Sequence, residues 1–139
     1  MRVVETEGAQ ETEALGASIA ALLAPGDVVH VRGEVGSGKT TLVRGACRAL
    51  GVEAPVTSPT FAIAHRYRGA GDVVVGHIDL YRLGGLAGED PELLGDYVGP
   101  DRITFVEWPA EGEPELGEPR MTIALEHLGG ERRRIEVRG

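Results

Sequence analysis

The run Gly33-Glu34-Val35-Gly36-Ser37-Gly38-Lys39-Thr40 has the spacing G-x-x-x-x-G-K-[ST], that of a loop built to hold phosphate. Each fixed position has a chemical reason. Glycines allow positive φ, so successive backbone N–H groups can curl inward around an anion. A helix that starts straight after the loop adds its free N–H groups and the positive end of its dipole. Lys39 can reach the β- and γ-phosphates of a nucleotide, and the Thr40 hydroxyl can ligate Mg²⁺. Glu34, Val35 and Ser37 occupy the variable positions and offer backbone rather than side-chain contacts. The chain has thirteen arginines and a single lysine, and that lysine is Lys39. A compact ammonium, not a planar guanidinium, is what this position demands.

A phosphate loop needs a carboxylate nearby to hold the metal, usually at the end of a neighbouring strand. Two segments offer one. Ile103-Thr104-Phe105-Val106 is an apolar run closing on Glu107, and Val73-Val74-Val75-Gly76-His77-Ile78 closes on Asp79. Ligands of open α/β sheets sit at the carboxyl ends of strands, so both acids are candidates to face the nucleotide. His77 lies two residues before Asp79, on the same face of a strand, although a core histidine is the commoner use of such a position. Ser58-Pro59-Thr60 is a candidate switch loop, with an ordinary turn as the alternative. Trp108 is the only tryptophan; nucleotide stacking or a partner contact competes with plain packing. Arg132, Arg133 and Arg134 could supply one phosphate or nucleic-acid contact, but a solvated hairpin face is the more usual role of such a run.

These residues must be positioned by regular elements. Val3 to Glu7 reads as an edge strand. Gln10 to Leu23 reads as a helix with Leu15, Ile19, Leu22 and Leu23 on one buried face, ended by Pro25-Gly26. Asp27 to Arg32 is a buried strand, and Lys39 to Leu50 a second helix with Leu42, Val43, Ala46 and Leu50 on its apolar side and Gly51 just beyond. Strands are expected over Phe61 to Arg68, Val73 to Ile78 and Ile103 to Val106, with a short helix near Pro91 to Tyr97. Pro109 to Pro119 is a loop rich in Pro, Glu and Gly. Met121 to Leu128 and Arg132 to Val137 form a hairpin around Gly129-Gly130. The order strand, loop, helix predicts an α/β fold of the P-loop NTPase kind. Its central sheet is expected to be largely parallel and flanked by helices, with a C-terminal antiparallel hairpin. Residues 1–139 read as one domain.

Composition narrows the function classes. The net charge of -8 argues against stand-alone nucleic-acid binding, because phosphate contacts dominate that affinity. One cysteine, Cys47, makes neither an intrachain disulfide nor a structural zinc site, and reads as a small buried apolar residue. No apolar run is long enough to span a bilayer and no signal-peptide core is visible, so a reducing cytoplasm is the expected compartment. The chain has no asparagine and no second lysine, so the Asn-Lys-x-Asp reader of guanine is absent, and Gln10 is its only glutamine. Those absences disfavour a Ras-like GTPase. A small-molecule kinase needs an acceptor pocket and a lid, for which Leu83 to Gly99 is short and acidic. A non-catalytic nucleotide-gated adaptor is the third reading.

The order of motifs is similar to that of a known family. Thr12 with Leu15-Gly16, then Gly33 to Thr41, then Ser58-Pro59-Thr60-Phe61, then His77-Ile78-Asp79-Leu80-Tyr81-Arg82-Leu83, then Glu107-Trp108-Pro109 resembles the bacterial TsaE family, formerly YjeE. The match runs from about residue 10 to residue 110. The resemblance implies a cytoplasmic ATPase that works with two partners, TsaB and TsaD, in making N6-threonylcarbamoyladenosine in tRNA. Such an ATPase meets tRNA only through the complex, does not itself transfer the carbamoyl group, and hydrolyses ATP weakly without its partners. The resemblance further implies that Glu34 to Thr41 hold ATP or ADP, with Lys39 on the phosphates and Thr12 near the adenine. Thr40 and Glu107 would ligate Mg²⁺, and Asp79 would activate water or support the metal. The loop departs from the family's usual Gly-Asp-Leu-Gly-Ala-Gly-Lys-Thr only at Glu34, Val35 and Ser37.

Overall fold

Strand β2, Val28–Gly33, lies at the middle of the sheet, and its sequence explains why. Val28, Val29, His30 and Val31 are all buried, the near-continuous run expected of a strand covered on both faces. The computed structural model describes residues 1–34, 36–57, 64–79, 98–108 and 118–139. Within these residues β1 (Arg2–Thr6), α1 (Ala9–Ala20), β2, α2 (Lys39–Ala49), β3 (Ala64–Arg68), β4 (Val74–Asp79), β5 (Arg102–Glu107), β6 (Met121–Gly129) and β7 (Arg132–Arg138) follow one another. Val35, Ser58-Pro59-Thr60, the start of the strand expected from Phe61, the helix expected near Pro91 to Tyr97 and most of the loop from Pro109 lie outside the described residues.

Seven strands form one sheet in the order β1-β7-β6-β2-β5-β4-β3. β6, β2, β5 and β4 run parallel, whereas β7 pairs antiparallel with both β6 and β1, and β3 pairs antiparallel with β4. The expectation of a largely parallel sheet therefore holds for the central four strands, and both flanks are antiparallel. The cause is connection length. A hairpin such as β6–β7 closes through Gly129 and Gly130, both at positive φ, and can only reverse direction.

α1 and α2 pack on each other and on one face of the sheet. Leu15 and Ile19 of α1 and Leu42, Val43, Ala46 and Cys47 of α2 join Val29, Val31, Phe105, Ile123 and Ile135 in one buried cluster. Burial pushes the Cys47 thiol up to about 12, so it is an inert core group, as its apolar setting led us to expect. Leu22 corrects the helical pattern: it is 57% exposed. α1 stops at Ala20, and Leu22 and Leu23 then close tighter i→i−3 turns, which rotates Leu22 off the buried face. No helix among the described residues is long and apolar enough to cross a membrane.

Candidate functional site

Parallel pairing brings the carboxyl ends of β2, β5 and β4 to one edge of the sheet. Val31 is in register with Glu107, and Glu107 with Asp79, so the two acids sit side by side on the face that carries the helices. From the end of β2 the chain turns through the glycine-rich loop into α2. Gly38 is the residue before the first helical turn and has φ 99°, a conformation that L side chains rarely adopt. It offers no side chain to cap the helix, and the first turn of α2 contains no acid.

Lys39, buried at the start of α2, folds back over this loop. Its Nζ donates to the carbonyl oxygens of Gly33 at 2.6 Å and Glu34 at 3.0 Å and stands 4.4 Å from the centroid of the Trp108 ring. Desolvation lowers its pKa, while the charges of Glu107, Asp79 and Glu34 act the other way. Trp108 has φ 55°, the only positive φ outside glycine among the described residues, and its N–H donates to the carbonyl of Val31 at 3.3 Å. That backbone twist, at the residue following Glu107, is what swings the indole over the lysine.

Glu107 is nearly fully buried, and its Oε2 receives two donors. Thr40 Oγ1 donates at 3.4 Å, and His77 Nε2, itself fully buried, makes a short bond to the same oxygen. His77 Nδ1 is buried with no hydrogen-bond partner among the described residues. His77 is thus a core histidine, as its position suggested, but one aimed at the carboxylate. Ser37 Oγ is likewise buried without a partner there, beside Gly33. Asp79 is half-buried at the mouth of this cluster.

Thr12 and Thr41 lie on the other side of the loop, in the lining of a cavity of about 190 Å³. Gly38 forms part of it too, with Gly8, Ala9 and, from the hairpin, Glu131 and Arg133. Thr12 is fixed by a hydrogen bond of 2.8 Å between its Oγ1 and that of Thr6. The fold therefore gathers Gly36, Ser37, Gly38, Lys39, Thr40, Thr41, Asp79 and Glu107 around the N-terminus of α2, with Thr12 next to them. Glu34 contributes its carbonyl and an exposed side chain, and Val35 lies outside the described residues. Sequence reasoning missed the His77–Glu107 bond, because its geometry requires the β4–β5 register. It also missed Glu131 and the placement of Arg133, because nothing in Arg132-Arg133-Arg134 sets one arginine apart.

Residues 6–135 match the family described as threonylcarbamoyl adenosine biosynthesis protein TsaE. The tRNA threonylcarbamoyladenosine biosynthesis protein TsaE of Streptomyces coelicolor is 43% identical over 119 residues, 84% of this chain and 80% of that protein. Its counterpart in Treponema pallidum is 35% identical over 139 residues, covering 99% of both chains. The crystal structure of Bacillus subtilis YdiB superposes with a TM-score of 0.75 at 30% identity, over 96% of this chain and 82% of that one. With its motifs in family order and its matched segment running from β1 into β7, this chain belongs to the TsaE family.

Proposed function

We propose that this chain is a P-loop ATPase serving tRNA N6-threonylcarbamoyladenosine biosynthesis, and that it binds ATP and Mg²⁺ and supports turnover of a TsaB–TsaD complex. The observation that carries the reading is the convergence of one ammonium, two carboxylates and one hydroxyl on the N-terminus of α2: Lys39, Glu107, Asp79 and Thr40. Phosphoryl transfer to water needs positioning and charge neutralisation more than covalent chemistry, and these groups supply both. The loop N–H groups and the α2 N-terminus take the phosphate oxygens. Lys39 exchanges its bonds to the Gly33 and Glu34 carbonyls for bonds to the β- and γ-phosphates.

The donor set fits Mg²⁺. Thr40 Oγ1 and Glu107 Oε2 are hard oxygen donors 3.4 Å apart, and no group of three His, Cys, Asp or Glu side chains among the described residues forms a protein-only metal cage. Such a site suits a cation that completes its shell with water and phosphate oxygens. Bound there, the ion would neutralise charge developing on the phosphates. His77 holds the Glu107 carboxylate in place toward Thr40. Asp79, beside Glu107 in the parallel ladder, would help activate the attacking water or support the metal.

The test is ATP hydrolysis with Mg²⁺, alone and with TsaB and TsaD, for the wild type, Lys39→Ala and Glu107→Gln. Slow turnover alone, stimulation by the pair, and a loss of roughly a hundredfold or more in either variant are expected. Equal rates with and without the pair would remove the partner role. ATP binding without turnover in any mixture would make the chain a nucleotide-gated adaptor.

A further inference from the structure

The helices α1 and α2 lie on one face of the sheet, and alternation along the strands assigns side chains to the other. Val29 and Val31 of β2, Ile123 and Leu125 of β6, and Ile135 and Val137 of β7 join the buried cluster under the helices. Arg32, Ala124 and Glu136, out of phase with them on the same strands, turn to the far face. Pairing sets Arg32 beside Ala124, and Ala124 beside Glu136. A guanidinium and a carboxylate therefore face each other with one methyl group between them.

Two strand spacings put their backbones about 10 Å apart. The gap stays open as a cavity of about 270 Å³ over Ala124, walled by Arg32, Glu136, Thr122 and Arg138. Its charges do not neutralise one another. Arg134, on the same face, pairs with Glu5 at 3.5 Å, whereas half-buried Arg32 makes no hydrogen bond or ion pair among the described residues. Glu136 has the guanidinium of Arg138 at 3.9 Å, and the side chain of that arginine is 65% exposed. Such a pair contributes little, and a carboxylate has room for further donors. A half-buried guanidinium with its donors unused is a cost to folding. His30, beside Thr122 and two residues before Arg32, shows that this charge is uncancelled: burial first, then the charge of Arg32, lowers its pKa.

We propose that this cavity binds a small zwitterion of the α-amino-acid class, its carboxylate held by Arg32 and the Thr122 hydroxyl and its ammonium by Glu136. The two walls select that class. The guanidinium fork matches a carboxylate. A phosphate would meet the same fork but also the negative Glu136, and a simple amine would meet the positive Arg32. A molecule carrying both charges satisfies both walls. The volume is close to the roughly 300 Å³ at which small-molecule pockets begin. The site is on the far side of the sheet from Lys39 and Glu107, so it stands apart from the reading of the glycine-rich loop.

The experiment is an NMR titration of the full chain with single L-amino acids. Any that binds is compared with the acid lacking its amino group, the amine lacking its carboxylate, and inorganic phosphate. At least one amino acid is expected to bind with a Kd of about 1 mM or tighter, shifting the amides of Arg32, Ala124 and Glu136 and the His30 imidazole. Both truncated analogues and phosphate should bind at least about tenfold more weakly, the usual weight of one hydrogen-bonded charge. Arg32→Gln and Glu136→Gln should each lose about tenfold. Ala124→Leu, which fills the cavity and keeps both charges, should abolish binding. Dispersed amide spectra show that the variants are folded, and the two glutamine variants decide the matter if Ala124→Leu is not. The deaminated acid or phosphate binding as tightly as the amino acid would reduce the cavity to a general anion site and overturn the proposal. Shifts confined to other residues, unchanged affinity in Arg32→Gln, or no binding by any amino acid would overturn it too. Tetraglutamate binding more tightly than any amino acid would make the face a docking surface for an acidic protein segment, and would equally overturn it.

Discussion

Replacing Gly45 by alanine should destabilise this protein, although the same change on a free helix surface would stabilise it. Gly45 lies in α2 where α1 crosses, and a Cβ there would stand 2.0 Å from the carbonyl oxygen of Glu13, whereas ordinary contact begins at 3.4 Å. The obstacle is helix backbone, which has no rotamer to yield. Gly16 of α1 faces the reciprocal problem, with the Leu42 carbonyl oxygen 2.1 Å from its Cβ position. An unobstructed Gly→Ala change in a helix gains about 1 kcal/mol. Overpacking costs about 1–3 kcal/mol, and forcing two helix backbones apart belongs at or above the top of that range. The net expectation for Gly45→Ala is a loss of about 2 kcal/mol, or roughly 5–10 °C in Tm. Urea denaturation followed by circular dichroism and by Trp108 emission measures it, with Gly16→Ala as a second reading of the same interface. The double variant should cost less than the sum, because one separation of the helices relieves both contacts. α1 also carries Thr12, so ATP affinity should fall with stability. A Gly45→Ala protein more stable than wild type by about 1 kcal/mol would refute the close crossing.

Two further outcomes follow from buried groups near the site. His30 is buried in β2 with Nε2 unpartnered among the described residues, and burial first, then the charge of Arg32, lowers its pKa from 6.5. The unfolded chain therefore takes up a proton below about pH 6.5 that the folded chain refuses, so this contribution to stability is full above that pH and falls as the solution is acidified. Relative to His30→Gln, the wild type should lose stability between pH 7 and pH 5, by at most about 1.4 kcal/mol per pH unit; a difference that stays flat across this range would contradict the burial argument. Trp108 is the sole tryptophan and has the Lys39 ammonium 4.4 Å from its ring centroid. Nucleotide binding that draws Lys39 to phosphate should shift its emission, and Lys39→Ala should abolish the shift; calorimetric binding with unchanged emission would count against the movement of Lys39.

What could be read from sequence was whatever is local. The loop from Gly33 to Thr40 is one contiguous segment whose backbone requirements are written in its glycines. The strands before and after it showed as Val-rich runs. Glu107 and Asp79 were legible because a strand's end is a place in the sequence as well as in space. What stayed hidden depends on register. That Glu107 and His77 share a bond follows from β4 lying beside β5 with Asp79 opposite Glu107, and no spacing along the chain encodes that pairing. Arg133 was hidden for the same reason: its direction is set by the parity of Ile135 and Val137, and its contact with Gly36 crosses most of the chain. Leu22 was misjudged because the last turns tighten beyond Ala20, an end effect that helical periodicity does not see.

The single lysine now has a structural rationale. In its present position Lys39 is desolvated and satisfied by two carbonyls of the loop that would cradle phosphate, with an aromatic face above it. An arginine would carry a larger, forked group whose charge is spread over a plane, and could not place a point charge between two carbonyls spaced for an ammonium. Burial lowers the pKa of Lys39, and the nearby carboxylates only partly offset that desolvation. Trp108 adds its own cost, since a non-glycine residue at positive φ is strained by about 1–3 kcal/mol. A buried ammonium and a strained backbone, adjacent and at the end of the same sheet, are features that folding alone would discard. On the reading proposed above, an anion arriving at the N-terminus of α2 would replace carbonyl dipoles with full negative charge, and that exchange would favour the ligand because the lysine's desolvation has been incurred in advance.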